Sequence, residues 1–328
     1  MNQEIAILKL IQTQGLGKVT ISRLLKVLAT EGRGLEDFVL SPVNELVNHY
    51  RLKTEVAQAL KTNNHQAEEL ATELYQRSLQ VLVQGTENYP HHLIQILGET
   101  APPVLFAKGN LNIIKNKAVG FSGSRKTSEK GLGIASNAAG ILGKSCINVV
   151  SGYASGTDLA SHSGALNAGG VTTFVLAEGI LKFSIKRGIS ELLSNENYLA
   201  ISEFPPRTKW IARNAMQRNR TICGLSDAML IVESGLDGGT FAAGETTQQL
   251  DLPLFVVDYA QPPQSAEGNC YFLNKGAMPL RGNAEGKPNL KALFQALNRE
   301  NDVSSVKKHS CNSSPLLDLV IPDNITDM

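Results

Sequence analysis

The sequence predicts an α/β protein with a doubly wound parallel sheet, preceded by a small all-helical domain. Short apolar, β-branched segments alternate with segments of helical length over residues 118–300, which is the pattern of strands buried between helices. Residues 1–76 instead repeat apolar residues at helical spacing. A hydrophobic fraction of 42% and 29 glycines fit a soluble protein with a substantial core and many tight turns.

The first 76 residues are expected to form the helical domain. The apolar positions of its first two helices are Ile5, Ile7, Leu8 and Ile11, then Ile21, Leu24, Leu25 and Leu28. The glycine-rich turn Gly15–Thr20 between them resembles a helix-hairpin-helix (SAM-like) unit, in which N–H groups at a helix N-terminus hold a phosphate. A plain packing unit explains the same turn equally well, so DNA contact there stays open.

A connecting segment over residues 77–117 is expected between the helical domain and the sheet. Gln80–Val83 is predicted as a short strand, and Tyr89-Pro90, Pro102-Pro103 and Gly109-Asn110 then predict little regular structure. At the other end of the chain, residues 301–328 are rich in Ser, Asn and Asp and are expected to form a flexible tail.

The sheet domain spans residues 118–300. Its predicted strands are Ala118–Gly123, Ile147–Ser151, Val171–Ala177, Tyr198–Ser202, Ala228–Glu233 and Leu252–Val257. Its predicted helices are Glu129–Leu142, Asp158–Asn167, Ile185–Leu193, Arg213–Leu225 and Phe241–Leu250. Fully apolar strands imply an extended Rossmann-like sheet that helices cover on both faces, with right-handed crossovers. Ligands of such a sheet lie at the carboxyl ends of its strands.

The composition excludes several classes of protein. The 31 Lys and Arg nearly balance the 30 Asp and Glu, so the chain is not a histone-like polycation, although a local basic patch is allowed. No apolar run approaches the roughly 20 residues that cross a bilayer, and the N-terminus lacks a signal-peptide pattern, which predicts a cytoplasmic protein without a membrane partner. The cysteines are scattered singly, so no metal site is expected: Cys146, Cys223, Cys270 and Cys311.

The loop after the first strand of the sheet domain suits a phosphate. Gly123 and Ser124 precede Arg125 and Lys126 at the start of a helix, where exposed N–H groups and a planar guanidinium favour an anion. The loop has neither a dinucleotide-binding glycine pattern nor a P-loop ending, so no nicotinamide or ATP cofactor is expected. The alternative is an ordinary turn with a solvated Arg125.

The loop after the second strand allows close backbone approach to an anion or a sugar. Asp158 at the helix start is expected to be either an N-cap or part of the site, and His162 shares its helix face. An Asp–His pair can act as a base and its orienter, but no nucleophile follows a recognisable elbow, so no catalytic site is predicted. The loop's glycines and hydroxyls are Ser151, Gly152, Ser155, Gly156 and Thr157.

A basic segment follows the fourth strand. Five cations and no acidic residue lie within Arg207–Arg220, together with Trp210, the only tryptophan of the chain. Cations that replace counterions along a backbone, and a ring that stacks on a base, are what a groove for a single strand needs. The alternative is a basic solvated loop with a half-buried Trp. The cations are Arg207, Lys209, Arg213, Arg218 and Arg220.

Another glycine-rich loop follows the fifth strand on the same edge of the sheet. It contains Gly238, Gly239 and Thr240 and enters a helix. Glu233, just before it, would either bind a ribose hydroxyl or repel a phosphate, and the sequence does not decide between the two. Glu245, within the helix, is typical of an ordinary helix residue.

These segments resemble the DNA-processing protein A (DprA/Smf) family, in the same order over about residues 80–282. The resemblance implies a homodimer with an extended Rossmann fold that binds single-stranded DNA, protects incoming strands in natural transformation and helps to load RecA. It implies no catalytic activity and no cofactor. The segments that carry it are Tyr89-Pro90, Pro102–Phe106, Lys108–Leu111, Gly123–Arg125, Ser151–Asp158 with His162, Gly169-Gly170, Ser202–Pro205, Arg218–Ile222, Gly224–Ser226 and Val232-Glu233.

Carried over by position, the family's DNA pocket would be formed by Gly123–Arg125, by residues 152–158, and by the motif Arg218-Asn219-Arg220. The chain departs from the family at Ser155, where the family has Arg, and at Thr157, where it has Ile. It also has Ala215-Met216 in place of Phe-Pro. Losing one Arg weakens any grip on a phosphate.

Two alternative functions follow from these departures. The chain leaves no room for the C-terminal winged helix of many relatives, which favours a DprA-like antitoxin or regulator paired with a cognate toxin in a phage-defence module. Gly238–Thr240 with Glu245 loosely matches the glycine-rich loop and Glu of nucleoside-phosphate hydrolases. That match favours a nucleotide-binding sensor or hydrolase.

Overall fold

A computed structural model describes residues 2–62, 64–283 and 287–299, so the predicted tail, residues 301–328, lies outside the described residues. The helices are α1 (Gln3–Gln12), α2 (Lys18–Glu31), α3 (Leu35–Leu40), α4 (Val43–Asn48), α5 (Thr54–Thr62), α6 (Asn64–Gln76), α7 (His91–Leu97), α8 (Glu129–Lys144), α9 (Thr157–Asn167), α10 (Arg187–Ser190), α11 (Ala212–Gly224), α12 (Gly238–Gln249), α13 (Glu267–Asn274) and α14 (Lys291–Arg299). The strands are β1 (Gln80–Val83), β2 (Val104–Gly109), β3 (Ala118–Ser122), β4 (Asn148–Ser151), β5 (Thr172–Val175), β6 (Tyr198–Ser202), β7 (Ala228–Ile231), β8 (Leu254–Val257) and β9 (Met278–Leu280).

The strands of the described residues form one sheet in the order β1-β2-β6-β5-β4-β3-β7-β8-β9. Neighbours from β6 to β9 in this order are parallel, whereas β1 and β2 add an antiparallel edge. The chain builds outward from β3 through β4, β5 and β6, then returns to place β7 on the other side of β3. The loops that leave β3 and β7 therefore diverge and open a crevice at the carboxyl ends of these strands. The prediction of a doubly wound α/β sheet is confirmed.

Both faces of the sheet are buried, which explains why its strands are continuous apolar runs. Along β7, Ala228 and Leu230 belong to one core layer, and Met229 and Ile231 to the other. This alternation is the two-residue period of a strand. All four side chains are fully inaccessible, so the side chains available for ligands lie in the loops beyond the strand ends.

The segment over residues 77–117 has more regular structure than the sequence predicts. The strand predicted at Gln80–Val83 is confirmed as β1, but it pairs with β2, and Phe106 of β2 pairs in turn with Ser202 of β6. The expectation of little regular structure is wrong, because Pro102-Pro103 marks the point where β2 starts, a position that tolerates a missing N–H donor. The boundaries of the predicted domains stay a prediction.

One predicted helix of the sheet domain is nearly missing. Within Ile185–Leu193 only the single turn α10 is helical. Ile189 is its buried residue, and the adjacent Gly188 and Ser190 are poor helix formers, which disfavours a longer helix. The segment is held instead by Tyr153, whose hydroxyl accepts a hydrogen bond from the backbone N–H of Lys186 at 2.9 Å. The other four predicted helices are confirmed as α8, α9, α11 and α12.

Helices α1 to α6 pack against the sheet. Their apolar core continues into strand residues Phe106, Phe174 and Tyr198, so this domain covers one face of the sheet near β2, β5 and β6. An ion pair between Arg207 and Glu73 joins α6 to the loop after β6. No helix within the described ranges has the length and apolar character that crossing a membrane requires.

Replacing Gly164 with Ala is expected to lower the free energy of unfolding by about 1–3 kcal/mol. The cause is the close packing of α8 on α9: a Cβ at Gly164 would lie 2.2 Å from the backbone oxygen of Ser136. Gly133→Ala in α8 is the matched control, because nothing lies within 4 Å of a Cβ there. That control should raise stability by up to about 1 kcal/mol. Urea unfolding measures both, and similar shifts in the two variants would contradict the close packing.

Candidate nucleic-acid interface

Two adjoining cavities lie at the carboxyl ends of the parallel strands. The switch-point cavity, about 500 Å³, is bordered by the loops after β3 and β7 and by α11. The side cavity, about 420 Å³, lies past the ends of β4 and β5. Arg125, Ala154, Trp210 and Arg218 line both cavities and form the border between them. The loops singled out in the sequence therefore meet at one edge of the sheet.

Arg218 is a buried cation with unused hydrogen-bonding capacity. The residue is 8% exposed, and its Nε is buried without a hydrogen-bond partner. Its nearest carboxylate oxygen is Asp158 Oδ2, 3.8 Å from Nη2, which is too long for a hydrogen bond. Burial lowers the pKa of Arg218, while Asp158 and Glu178 act in the opposite direction. Arginine stays protonated in proteins, so this guanidinium is a charged donor in need of an anion or an acceptor.

Gly152 makes room for this guanidinium. A Cβ added at Gly152 would lie 1.9 Å from Nη1 of Arg218. The guanidinium thus rests directly on the backbone of the loop after β4, and any side chain at Gly152 would displace it. The sequence predicts that an anion or a sugar comes close to the backbone of this loop. At Gly152 the group that comes close is the side chain of Arg218.

Asp158 fixes the loop after β4 and does not cap a helix. The N-cap of α9 is Gly156, at φ +84°, so the N-cap alternative for Asp158 is wrong. Its Oδ1 accepts from the Ser151 hydroxyl at 2.9 Å, and its Oδ2 accepts from the backbone N–H of Ala154 at 3.0 Å. Asp158 is therefore largely satisfied within its own loop, which leaves Arg218 only a distant counter-charge.

The loop after β3 is held from both sides. The backbone N–H of Ser124 donates to the Glu233 carbonyl at 2.9 Å, and the Ser124 hydroxyl accepts from the Lys126 N–H at 3.0 Å. Thr157 is fully buried under this loop, where its hydroxyl meets that of Thr127 at 2.7 Å, and a Cβ on Gly123 would collide with it. Thr157 supports the loop and does not reach the cavities' surface.

Arg125 and Trp210 form the exposed part of the border. The Arg125 guanidinium lies 5.4 Å from the centre of the Trp210 ring, within the range of a cation–π contact. Trp210 is 49% exposed, so one part of its ring is free to stack on a flat ligand. Trp210 is thus half-buried, and it lies beside Arg125 of the loop after β3. A groove that binds a single strand needs this arrangement.

The N-terminus of α12 closes the switch-point cavity. Gly239 and Thr240 line it, and α12 begins at Gly238, at φ +81°. The Asn219 amide donates to the Gly239 carbonyl at 2.9 Å and so ties α11 to this helix start. N–H groups at the start of a helix favour an anion, which adds to the attraction of Arg218.

Glu233 neither binds a ligand nor faces one. It is 0% exposed, and its carboxylate accepts from the Ser128 N–H at 2.9 Å, the Ser265 hydroxyl at 2.6 Å and the Tyr259 hydroxyl at 3.0 Å, as well as from the Ser128 hydroxyl. Burial raises the pKa of Tyr259, and Glu233 raises it further. Glu233 thus joins the loop after β3 to the end of β8, a structural role that neither alternative from the sequence anticipates.

His162 and Ser151 also lie in the core. His162 is 0% exposed; its Nδ1 lies 2.6 Å from the Thr172 hydroxyl, and its Nε2 lies 2.7 Å from the Gly152 carbonyl. Burial lowers the pKa of His162 to about 4. The Ser151 Oγ also lies 2.8 Å from the Phe121 carbonyl, which competes with Asp158 for its single proton. Direct contact of His162 with DNA is therefore ruled out by its burial, and its hydrogen bond instead positions the backbone of Gly152.

The cations of the basic segment do not line one groove. Arg220 lies next to Thr100, with Nη2 3.3 Å from its hydroxyl, in another cavity, and Arg213 also lies outside the two strand-end cavities. Residues two apart on a helix face nearly opposite ways, so Arg218 and Arg220 separate, whereas Arg213 and Arg220 share a face. Arg207 is paired with Glu73. Within the described residues, Lys126 is exposed but borders neither cavity.

The combined site is not strongly cationic. The charged residues that line the two cavities are three cations and three acids: Arg125, Lys186 and Arg218, with Asp158, Glu178 and Asp237. The expectation that the cations of the basic segment line one groove for a single strand is therefore only partly met. Among the described residues, no group of three His, Cys, Asp or Glu is arranged to hold a metal ion.

Sequence reasoning missed the two charged residues that line only the side cavity, Glu178 and Lys186. Glu178 follows β5, and Lys186 precedes α10; Ser155, with Tyr153, completes this wall. The Nζ of Lys186 lies 4.5 Å from the centre of the Tyr153 ring and donates to the Tyr153 carbonyl. The signal for Glu178 was available, because it directly follows a predicted strand, at the same edge as the other loops.

Comparison with known proteins places this architecture among DNA-processing proteins. The family model for DNA recombination-mediator protein A matches residues 80–286. Protein Smf from Synechocystis sp. is 29% identical over 221 residues, which cover 66% of this chain and 55% of that protein. DNA processing protein DprA from Streptococcus pneumoniae is 29% identical over 191 residues, covering 58% and 66% respectively. The matched region thus spans about half to two thirds of these relatives.

Two solved structures have a similar fold. The X-ray structure of DNA processing protein A from Streptococcus pneumoniae has a TM-score of 0.71 at 22% identity, covering 85% of this chain and 95% of that one. DNA processing protein A from Helicobacter pylori, studied for its single-stranded DNA binding mode, has a TM-score of 0.56 at 23% identity, covering 68% and 96%. At these identities the likeness concerns the fold.

Replacing His162 with Gln is expected to make stability less dependent on pH. The folded-state pKa of about 4 lies below the ordinary value of 6.5, so the unfolded chain takes up the proton first. The stability present above about pH 6.5 is therefore lost as the pH falls toward about 4. Between about pH 7.5 and about pH 4.5, the wild-type free energy of unfolding should fall about 2–3 kcal/mol more than that of the variant.

Urea unfolding at the two pH values measures this difference. His91→Gln, at an exposed position, is the matched control and should keep the wild-type pH dependence. If all three proteins lose the same stability on acidification, the result contradicts the conclusion that His162 is buried and neutral in the folded protein.

Proposed function

The chain belongs to the DNA recombination-mediator protein A family, and on that basis we propose that it binds single-stranded DNA at the two strand-end cavities. In this role it protects unpaired strands during DNA uptake and recombination. The relative from Helicobacter pylori, which binds single-stranded DNA, supports this proposal. Loading of a RecA-type recombinase onto the bound strand is the finer proposal that follows from the family.

The observation that carries this proposal is the buried, under-bonded guanidinium of Arg218. A charge removed from water without full hydrogen bonding costs several kcal/mol, and the site retains it next to a second cation, Arg125, at the point where the sheet topology diverges. The helix N-terminus at Gly239 and Thr240 adds N–H groups on the same side. A phosphate of the nucleic-acid backbone satisfies all three features.

The exposed ring of Trp210 supplies the second element of the proposal. It lies on the border of the two cavities, directly beside Arg125, so a phosphate on the arginine brings a neighbouring base within reach of the ring. Every base has a flat π face, so stacking of this kind tolerates many sequences. A single strand exposes its bases for such contact, whereas in a duplex they are stacked and paired.

A binding role is favoured over a catalytic one. Glu245, the residue of the hydrolase alternative, accepts from the Tyr271 hydroxyl at 2.8 Å and lies 3.5 Å from Lys275 Nζ. It thus faces α13 and not the switch-point cavity. His162, the other candidate, is buried. The homodimer and the toxin partner stay predictions.

Arg125→Ala is expected to weaken binding of a single strand of about six nucleotides by about tenfold, since one charge-assisted contact to a phosphate is lost. The slope of log K against log salt should shrink by about 0.7, the value for one phosphate of a single strand. Fluorescence anisotropy of a labelled oligonucleotide at several salt concentrations measures both quantities.

Arg220→Ala is the matched control for this experiment. It removes the same charge two residues from Arg218, but its side chain lies beside Thr100, outside the two strand-end cavities. Affinity should change by less than about twofold, and the salt slope should stay constant. Equal losses of affinity in both variants would contradict the placement of the DNA-binding site at the two strand-end cavities. Absence of binding by the wild type would contradict the proposed function.

Trp210→Ala is expected to lower the affinity for a single strand by about 1–3 kcal/mol, which is roughly fivefold to 150-fold, because a stacking surface is lost. Ile211→Ala is the control, since Ile211 is the adjacent apolar residue and is 50% exposed. The only tryptophan of the chain also reports directly: its fluorescence should change when the wild type is saturated with DNA. Unchanged fluorescence at saturation is the result that refutes stacking.

A further inference from the structure

We propose that Glu178 makes the side cavity selective for bases that carry an exocyclic amino group, so that cytosine is preferred there over uracil or thymine. The proposal rests on the proposed function, since it assigns base selectivity to part of the same site. Glu178 lies outside the basic segment and outside the glycine-rich loops, so the proposed binding of phosphates does not account for it.

Glu178 is a carboxylate placed where a phosphate-binding protein has no evident use for one. It follows β5, is half-buried and lines the side cavity together with Arg218 and Lys186. Its carboxyl group interacts electrostatically with both cations. In the described part of the chain, however, neither cation forms an ion pair with it, and no side chain donates a hydrogen bond to it. The carboxylate is therefore available as an acceptor.

The two cations near Glu178 favour its charged form, and neither of them forms an ion pair with it. Burial has the largest effect and raises the pKa of Glu178 above its ordinary value, whereas Arg218, Lys186 and the backbone N–H groups of Glu178 itself and Ala177 act in the opposite direction. The carboxylate lies near these N–H groups, in the loop just after β5. Lys186 bonds the Tyr153 carbonyl and lies over its ring, and it forms no ion pair with Glu178. An acceptor with a fixed position can distinguish donors from acceptors on a ligand.

The shape of the side cavity suits a base. Its volume of about 420 Å³ lies within the roughly 300–1,000 Å³ of small-molecule sites. Trp210 and Tyr153 supply aromatic walls. A phosphate bound by Arg125 or Arg218, which border both cavities, places the attached nucleotide next to the side cavity. The base then presents its polar edge toward the end of β5.

Hydrogen-bond chemistry decides which base fits. A carboxylate only accepts hydrogen bonds. The N4 amino group of cytosine donates to such an acceptor, whereas uracil and thymine present the O4 oxygen at the same position, which a carboxylate repels. The two pyrimidine rings have nearly the same size and differ only along this edge. Cytosine has the N4 donor beside the N3 acceptor, whereas uracil has the O4 acceptor beside the N3–H donor, so selectivity for cytosine requires that the carboxylate faces position 4.

The test compares short single strands whose bases differ only along this edge, at position 4 and N3. Oligonucleotides of about six deoxycytidines and of about six deoxyuridines are titrated against the full chain at fixed salt. The wild type should bind the cytosine oligomer about tenfold more tightly, the effect of one charged hydrogen bond gained or opposed. In Glu178→Gln the ratio should fall below about twofold, because an amide offers both a donor and an acceptor.

Glu129→Gln is the matched control. It removes the same charge from an exposed position at the start of α8, near the loop after β3. Loss of a negative charge should raise the affinity for both oligomers in both variants, so only the ratio reports base selectivity. A wild-type ratio near one overturns the proposal whether or not the variants fold, and so does an unchanged ratio in Glu178→Gln. Binding of neither oligomer by the wild type would contradict the proposed function as well.

Discussion

The buried guanidinium of Arg218 on the backbone of Gly152 is the contact on which the rest of the site depends. Placing a charge there costs free energy that no internal partner fully offsets, because Asp158 lies 3.8 Å away and Nε has no partner. A protein optimised only for stability would replace such a group with an apolar side chain. Its position at the divergence of β3 and β7, on the border of both cavities, supports the proposal of an anionic ligand whose charge adds to the distant one of Asp158.

Three buried polar residues keep that contact in place without touching a ligand. His162 holds the Gly152 carbonyl, Asp158 holds the same loop through Ser151 and Ala154, and Glu233 anchors the neighbouring loop after β3. Each is nearly or fully satisfied by its own partners, so each stiffens the backbone under the site. Asp158 and His162 share a helix face but not a hydrogen bond, which is why they resemble a catalytic pair in sequence and are not one in space.

The sequence predicted the parallel sheet well because buried strands and their connecting helices leave local patterns of composition and spacing. It also predicted which loops meet, since the carboxyl ends of parallel strands share an edge. It did not predict which way the arginines of α11 face, or which segments that are distant in the chain pair in the sheet. Arg218 and Arg220 belong to one motif but face opposite ways, and β2 is defined by its pairing with β6, far away in the chain. Whether Glu233 and His162 are buried likewise depends on tertiary packing that spacing does not encode.

The balance of charge around the cavities limits which kind of ligand the proposed site suits. If phosphates were the whole ligand, acids among the cations would only weaken binding, and Asp158 already suffices to fix the loop. Glu178 adds a second negative charge beside Arg218 without any structural bond to a side chain. A net-neutral site that keeps a free acceptor next to an aromatic wall is suited to a ligand with alternating character: an anionic backbone, a flat ring and a donor-bearing edge. A single strand with unpaired bases presents all three together, whereas a duplex hides the last two.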